Sequence, residues 1–464
     1  MVLSSYGYNV KNPMNIYFSE VKDMSSYVTR KTPGDTSWFV HDRFGMFIHF
    51  GTYALAARHE WVKRNESISE EKYNKYFEYF NPDLFDAKEW ARKAKEAGMK
   101  YAVLTTKHHE GFCLFDSAYT DYKATNTPFG RDIVKEYADA FRAEGLHVGF
   151  YYSLIDWHHP EFPIDAMHPR RHDPDAEQLD KGRDMKKYAE YMRNQVRELL
   201  TNYGKIDILW FDFSYSAPDK REVKPWMQFG GAKSKDQWES EKLIALARSL
   251  QPGIIIDNRA DIEQDLWTPE QYQLQSWPRH GETGEYLTWE ACQTFSGSWG
   301  YYRDEMSWKS PQMLIEMLIN TVCLGGNLLM NVGPTARGCF DYRADEALKA
   351  YADWMKYNSR SIYGCTMAEP EFKAPRGCRL TQSQDGKRLY IHLMEYPYTF
   401  LECPGFAGKI DYAQFLHDGS EILFHDGHVE HYSEGMSQDE SIAFLRIPVV
   451  KPNVLVPVIE LFLK

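Results

Sequence analysis

Asp212 ends the apolar run Ile206-Asp207-Ile208-Leu209-Trp210-Phe211, and Phe213 follows it. Packed between the Tyr203-Gly204 break and a polar segment from Ser214, this run reads as a buried parallel strand with a carboxylate at its far end. Other apolar runs end in the same way, at His49, His108 and His109, Tyr151 or Tyr152, Arg259 and Asn331. One such residue reads as a hydrogen-bonded core group or, for an aspartate, as a cap on the next loop. Six strand ends doing so together are better explained by convergence on one mouth.

The chemistry open to this set narrows by elimination. The sequence has no GxSxG, no cysteine beside a plausible base, and neither HxH nor HExxH. Adjacent in an extended strand, His108 and His109 would point opposite ways, which suits hydrogen bonding better than a metal cage. No metal or other cofactor is called for. What remains is a pair of carboxylates, one a nucleophile and one a proton donor, roughly 5–5.5 Å apart in the retaining arrangement. Asp212 can be the first. Glu270, in Thr268-Pro269-Glu270-Gln271, and Glu290, in Trp289-Glu290, are the downstream candidates for the second.

Strands must bring these residues together, and the chain alternates strand and helix patterns. Residues 44–51, 101–107, 147–154, 206–213, 253–259 and 327–332 read as strands, and 272–277 and 286–294 are weaker candidates. Helical spacing occupies 86–98, 132–144, 186–202, 238–250, 312–324 and 344–357, with Gly98 and Gly145 at helix ends. About eight strands alternating with helices suggest an α/β fold, a (β/α)₈ TIM-like barrel. A doubly wound sheet would bring a GxGxxG turn, and Gly325-Gly326 does not supply one. Residues 1 to about 35 read as an arm or short helix. From Cys365 short alternating runs separated by Asp385-Gly386, Asp418-Gly419 and Asp426-Gly427 predict an antiparallel β-sandwich. The expected division is 1–364, barrel with an N-terminal arm, and 365–464, sandwich.

The 464 residues carry 54 Lys and Arg against 66 Asp and Glu, a formal charge of −12 with no basic run, so nucleic acid and anionic membrane are poor partners. Aromatic residues make up 15% of the chain, with 13 Trp and 31 Tyr, and such rings stack on the C–H faces of sugars as well as filling cores. Seven scattered cysteines without CxxC spacing argue for reduced thiols. With no signal-like amino terminus and no apolar window of membrane-spanning length, the expectation is a cytoplasmic protein acting on small molecules. Assembly into a homo-oligomer is left open.

Phe47-Ile48-His49-Phe50-Gly51, Thr106-Lys107-His108-His109-Glu110-Gly111-Phe112, Tyr151-Tyr152-Ser153, Leu209-Trp210-Phe211-Asp212, Trp289-Glu290 and 326–334 (GNLLMNVGP) occur in that order. Together they resemble the α-L-fucosidases of glycoside hydrolase family 29 over about residues 37 to 365. The resemblance implies a retaining, exo-acting hydrolase of terminal α-L-fucosyl linkages in oligosaccharides or glycoconjugates, with a covalent fucosyl-aspartate intermediate at Asp212. It implies that His49, Glu60, Trp61, His108, His109 and Tyr151 bind the sugar. Arg259 would support the carboxylates and Trp299 would face the C6 methyl. Glu270 is favoured as acid/base, with Glu290 the alternative. Phe50 and Phe211 depart from the family's usual residues, and both are expected in the pocket wall. The rival readings are another barrel glycosidase, such as a galactoside-acting one, and a non-catalytic sugar-binding protein.

Overall fold

The computed structural model describes residues 27–212, 224–230, 233–427 and 439–464. Most of the proposed N-terminal arm, and Phe213, lie outside these. Seven parallel strands form one sheet: β1 (Phe44–Ile48), β2 (Tyr101–Lys107), β3 (His147–Ser153), β4 (Ile208–Asp212), β5 (Ile255–Ile256), β6 (Glu290–Thr294) and β7 (Asn327–Val332). Their spatial order is β5-β4-β3-β2-β1-β7-β6.

The helices between them start and stop as their sequences dictate. Asp86 accepts from the backbone N–H of Lys88 and Glu89 to open helix Ala87–Glu96, and Asp132 accepts from Lys135 to open Ile133–Ala143. Gly98 and Gly145 follow these helices at φ 85° and 77°, backbone that a side chain disfavours.

Strand alternation separates two apolar layers. Phe47, Val103, Tyr151, Ile208, Trp210, Ile255, Cys292 and Leu329 point inward and form one buried cluster. Phe50, Tyr152, Leu209 and Phe211 belong to the layer between sheet and helices. Phe39, from helix Ser37–Asp42 just before β1, packs on Tyr101 at the amino-terminal end of the barrel. Trp299 lies against the same inner cluster.

The eighth place differs from expectation. Gln271 takes φ 59°, which breaks the extended chain just where a strand over 272–277 was anticipated, and no strand forms there. Residues 266–270 occupy the gap between β5 and β6 instead. They do so through three single parallel bridges, Asp257 to Leu266, Trp267 to Trp289 and Glu270 to Cys292. The barrel is thus of the (β/α)₈ type with one irregular stave. Residues 253–259 also yield only the two-residue β5. The chain folds back after Ile256, whose N–H donates to the Asp265 carboxylate at 2.8 Å.

After helix Tyr342–Asn358 and the turn Ser359–Ser361, the antiparallel strands begin with β8 (Cys365–Met367) and continue as β9 (Cys378–Ser383), β10 (Arg388–Leu393), β11 (Phe400–Pro404), β12 (Ile410–Phe415), β13 (Phe424–Asp426), β14 (Ile442–Arg446) and β15 (Val458–Leu463). They form sheets β12-β15-β10-β9-β8 and β11-β14-β13 around a second apolar core. The indole N–H of Trp354 donates to the carbonyl of Val456 at 3.2 Å, joining the last barrel helix to this part.

Candidate active site

The register of β1 against β7 places Phe47 beside Asn331, so His49 emerges one step beyond the strand and next to the Asn331 side chain. The Asn331 amide nitrogen donates to the carbonyl of Trp299 at 2.7 Å, so its oxygen faces His49 Nδ1 at 2.6 Å. Two acceptors do not bond each other, so Nδ1 of His49 carries the proton and Nε2 the lone pair. His109 is set by the same logic. Ser153 donates its one hydroxyl proton to the carbonyl of Ile155 at 2.9 Å, and so accepts from His109 Nδ1 at 2.7 Å. Burial holds both imidazoles well below their usual pKa, so both are neutral acceptors at Nε2.

His108 and His109 do not point opposite ways. Strand β2 ends at Lys107 after a register shift between Thr105 and Lys107, and the next residues turn. The two rings lie 4.0 Å apart, with His108 stacked on Tyr151 at 5.7 Å and His109 Nε2 3.8 Å from Asp212 Oδ2.

Asp212 ends β4 on the inner face, two residues after Trp210. The Tyr151 hydroxyl donates to its Oδ2 at 2.8 Å, and burial keeps that phenol protonated by raising its pKa well above normal. Of the two adjacent tyrosines it is therefore Tyr151 that meets the site, while the Tyr152 hydroxyl donates to Gln195 in the outer layer. Arg259 Nη1 donates to Asp212 Oδ1 at 3.0 Å and to Glu270 Oε2 at 2.8 Å. Its Nε donates to Thr268 Oγ1 and its Nη2 to the Thr268 carbonyl, at 2.9 and 3.1 Å, and its guanidinium rests 4.4 Å above the Trp210 ring. The fork geometry of arginine suits this, since one rigid group serves four partners.

Among the described residues, loops after β1, β3 and β6 also reach the mouth. Glu60 accepts from the Gly300 N–H at 2.8 Å, tying the segment after β1 to the one after β6. Trp299 lies 5.1 Å from the His49 ring, and Trp61 meets His109 edge-on at 4.9 Å and Trp157 at 5.3 Å.

A family model described as alpha-L-fucosidase matches residues 19–360. The chain belongs to the α-L-fucosidase family. It is a glycoside hydrolase of family 29. The α-L-fucosidase of Dictyostelium discoideum is 29% identical over 376 residues, 72% of each chain. The plasma α-L-fucosidase of Homo sapiens is 30% identical over 362 residues, 70% of this chain and 69% of that one. Among solved structures, α-L-fucosidase isoenzyme 1 from Paenibacillus thiaminolyticus superposes with a TM-score of 0.83 at 44% identity, covering 92% of this chain and 98% of that one. A family 29 fucosidase from Bacteroides thetaiotaomicron, trapped as a covalent intermediate with 2-fluoro-fucosyl fluoride, superposes at 0.76 with 27% identity over 95% and 98%.

Not every residue picked out in this family member reaches the mouth. Glu290 is the first residue of β6, fully buried inside the barrel, where the Tyr101 hydroxyl donates to Oε1 at 2.7 Å. Burial raises its pKa to about 7. Phe50 and Phe211 do not line the pocket. Phe50 packs on Phe80 and Trp90, and Phe211 sits one step from Trp210 and so on the opposite face of β4.

The sequence reading also passed over supports of the site: Thr268 under Arg259, Ser153 under His109, and Trp210. Asp257 is another, fully buried two residues after Ile255 on the inner face. It accepts from the Phe211 N–H at 3.1 Å, and burial pushes its pKa well above the carboxylate range. Counting back by twos from the strand ends would have found Trp210, and counting forward from Ile255 would have found Asp257.

Proposed function

We propose that this family 29 enzyme is a retaining, exo-acting α-L-fucosidase that removes terminal α-L-fucosyl groups from oligosaccharides or glycoconjugates, with Asp212 as nucleophile and Glu270 as acid/base. The observation that carries this is the single Arg259 nitrogen shared by the two carboxylates. The distances of 3.0 and 2.8 Å add to 5.8 Å, the upper limit on the separation of Asp212 Oδ1 and Glu270 Oε2. Retaining glycosidases need roughly 5–5.5 Å between their carboxyl groups, because one must reach the anomeric carbon while the other protonates the leaving oxygen.

In the first step an Asp212 oxygen bonds to the anomeric carbon as the glycosidic C–O bond breaks, and Glu270 gives its proton to the departing oxygen. In the second, Glu270 takes a proton from water, whose oxygen attacks the anomeric carbon and releases the Asp212 carboxylate. Tyr151 and Arg259 hold the two Asp212 oxygens for attack and receive the charge when the ester breaks. The Nε2 lone pairs of His49 and His109 accept from sugar hydroxyls, and the carboxylate of Glu60 is a further acceptor. Glu270 is partly exposed, as leaving-group contact requires, whereas Glu290 is sealed inside the barrel. Trp299 offers an apolar wall for the C6 methyl of fucose, a preference of only about 1–3 kcal/mol over a sugar that lacks it.

Kinetics on aryl glycosides test the reading. Asp212→Gly should lose hydrolysis of an aryl α-L-fucoside by orders of magnitude, and near wild-type turnover would refute the nucleophile. Glu270→Ala should lower turnover on poor leaving groups by roughly 10²–10⁴-fold and yield a fucosyl azide when azide is added. Azide rescue of Glu290→Ala instead would transfer the role.

A further inference from the structure

Among the motif residues without a part in the chemistry above are Gly51, which closes Phe47-Ile48-His49-Phe50-Gly51, and Glu110, which follows the paired histidines. The structure brings them together. Glu110 is almost completely buried, and a Cβ on Gly51 would stand 2.7 Å from its Oε1 and 2.7 Å from the Tyr53 ring, so carboxylate and ring together fill the space that the missing side chain leaves. Its Oε2 lies 3.5 Å from Nδ1 of His108. Among the described residues neither Glu110 oxygen, nor His108 Nδ1, has a hydrogen-bond partner, although all three are buried. The neighbouring cation is committed elsewhere: Lys107 Nζ pairs with Asp156 Oδ2 at 3.1 Å.

A buried carboxylate without a donor is costly, and so is a buried ring nitrogen without a partner. One movement satisfies both. His108 is the third imidazole of the mouth, 5.5 Å from His49 and 4.0 Å from His109, and it is the one whose Nδ1 is not already engaged by a neutral oxygen. We propose that Glu110 is the positioning residue for His108, its carboxylate accepting a hydrogen bond from Nδ1–H as the contact closes on substrate, so that Nε2 is presented to a sugar hydroxyl as a charge-strengthened acceptor. Hydrogen bonds of catalytic sites are commonly long before the substrate is bound. A carboxylate behind an imidazole fixes its tautomer and ring orientation and makes the far nitrogen a better acceptor. His49 and His109 are backed by an amide and a hydroxyl, and His108 alone would be backed by a full charge. This inference rests on the proposed fucosidase reaction, together with the sugar contact that the family resemblance implies for His108.

The test is a double-mutant cycle on kcat/KM for an aryl α-L-fucoside and on inhibition by L-fucose, with Glu110→Gln, His108→Ala and the pair. Gln keeps the shape and removes the charge. Glu110→Gln should lower kcat/KM by about 10–100-fold, carried mainly by a rise in KM and in the fucose inhibition constant. In the His108→Ala background the same change should cost less than about twofold, because its target is gone. Equal losses in both backgrounds, or no loss in the single variant, would overturn the proposal. Should Glu110→Gln fail to fold, Gly51→Ala disturbs the same carboxylate with residue 110 intact. It should give the same loss, again absent in His108→Ala, and wild-type kinetics for Gly51→Ala would contradict the proposal. A wild-type enzyme inactive on every α-L-fucoside would overturn the parent reading and this one with it, whereas an active enzyme with additive losses overturns this one alone.

Discussion

Arg259 joins the two carboxylates through one nitrogen, so its shape matters as much as its charge. Arg259→Lys keeps the charge but gives up the fork that also grips Thr268. Hydrogen bonds between charged groups contribute about 1.5–3 kcal/mol, so kcat/KM on an aryl α-L-fucoside should fall roughly 10–100-fold while the melting temperature changes little. Unchanged kcat/KM would mean that Asp212 and Glu270 are placed by other groups. At this scale the sequence was informative where a residue's place at the mouth is announced by its position at a strand end. Asp212, His49 and Arg259 were legible for that reason. The burial of Glu290 was not, because residues 286–294 read as one strand, whereas regular pairing begins at Glu290 itself and leaves that acid at the start of β6.

Strand alternation decides which neighbours of the site matter to catalysis. Phe50 faces the helices, so Phe50→Leu should lower stability by about 1–3 kcal/mol through the space it leaves, and leave kcat and KM as they are. A changed KM would place Phe50 at the pocket after all. The same alternation sorts Tyr151 inward and Tyr152 outward, which the sequence left open until the strand's phase was known. It fails for His108 and His109, where the register shift and turn after β2 bring both rings to one side. Irregular backbone of this kind carries no periodic signal, and the bridge-only stave at 266–270 was missed for the same reason.

Across the whole molecule the barrel mouth is open to charge while the barrel interior is not, and Glu290 reports on the difference. Its folded pKa of about 7 lies above the ordinary 4.5, so the neutral acid is favoured by folding. Its contribution to stability is complete below about pH 4.5 and is lost as pH rises through 7, a loss of about 3 kcal/mol at about 1.4 kcal/mol per unit. Glu290→Gln should therefore be more stable than wild type at pH 8 and close to it at pH 4.5 by chemical denaturation, and an equal difference at both pH values would rule out a buried proton. The succession of a barrel and an antiparallel sandwich was legible from the change of period, since a switch from helical spacing to short alternating runs is a whole-segment property that no single residue can hide. The proposed retaining reaction turns on one bond, from Asp212 to an anomeric carbon. Incubation with 2-fluoro-fucosyl fluoride, followed by proteolysis and mass spectrometry, observes that bond directly. A fluorofucosyl label is expected on the peptide that contains Asp212, and none on the same peptide of Asp212→Gly. A label on the peptide of Glu270 or Glu290, or turnover of the reagent with no enzyme-bound sugar at any time, would contradict it.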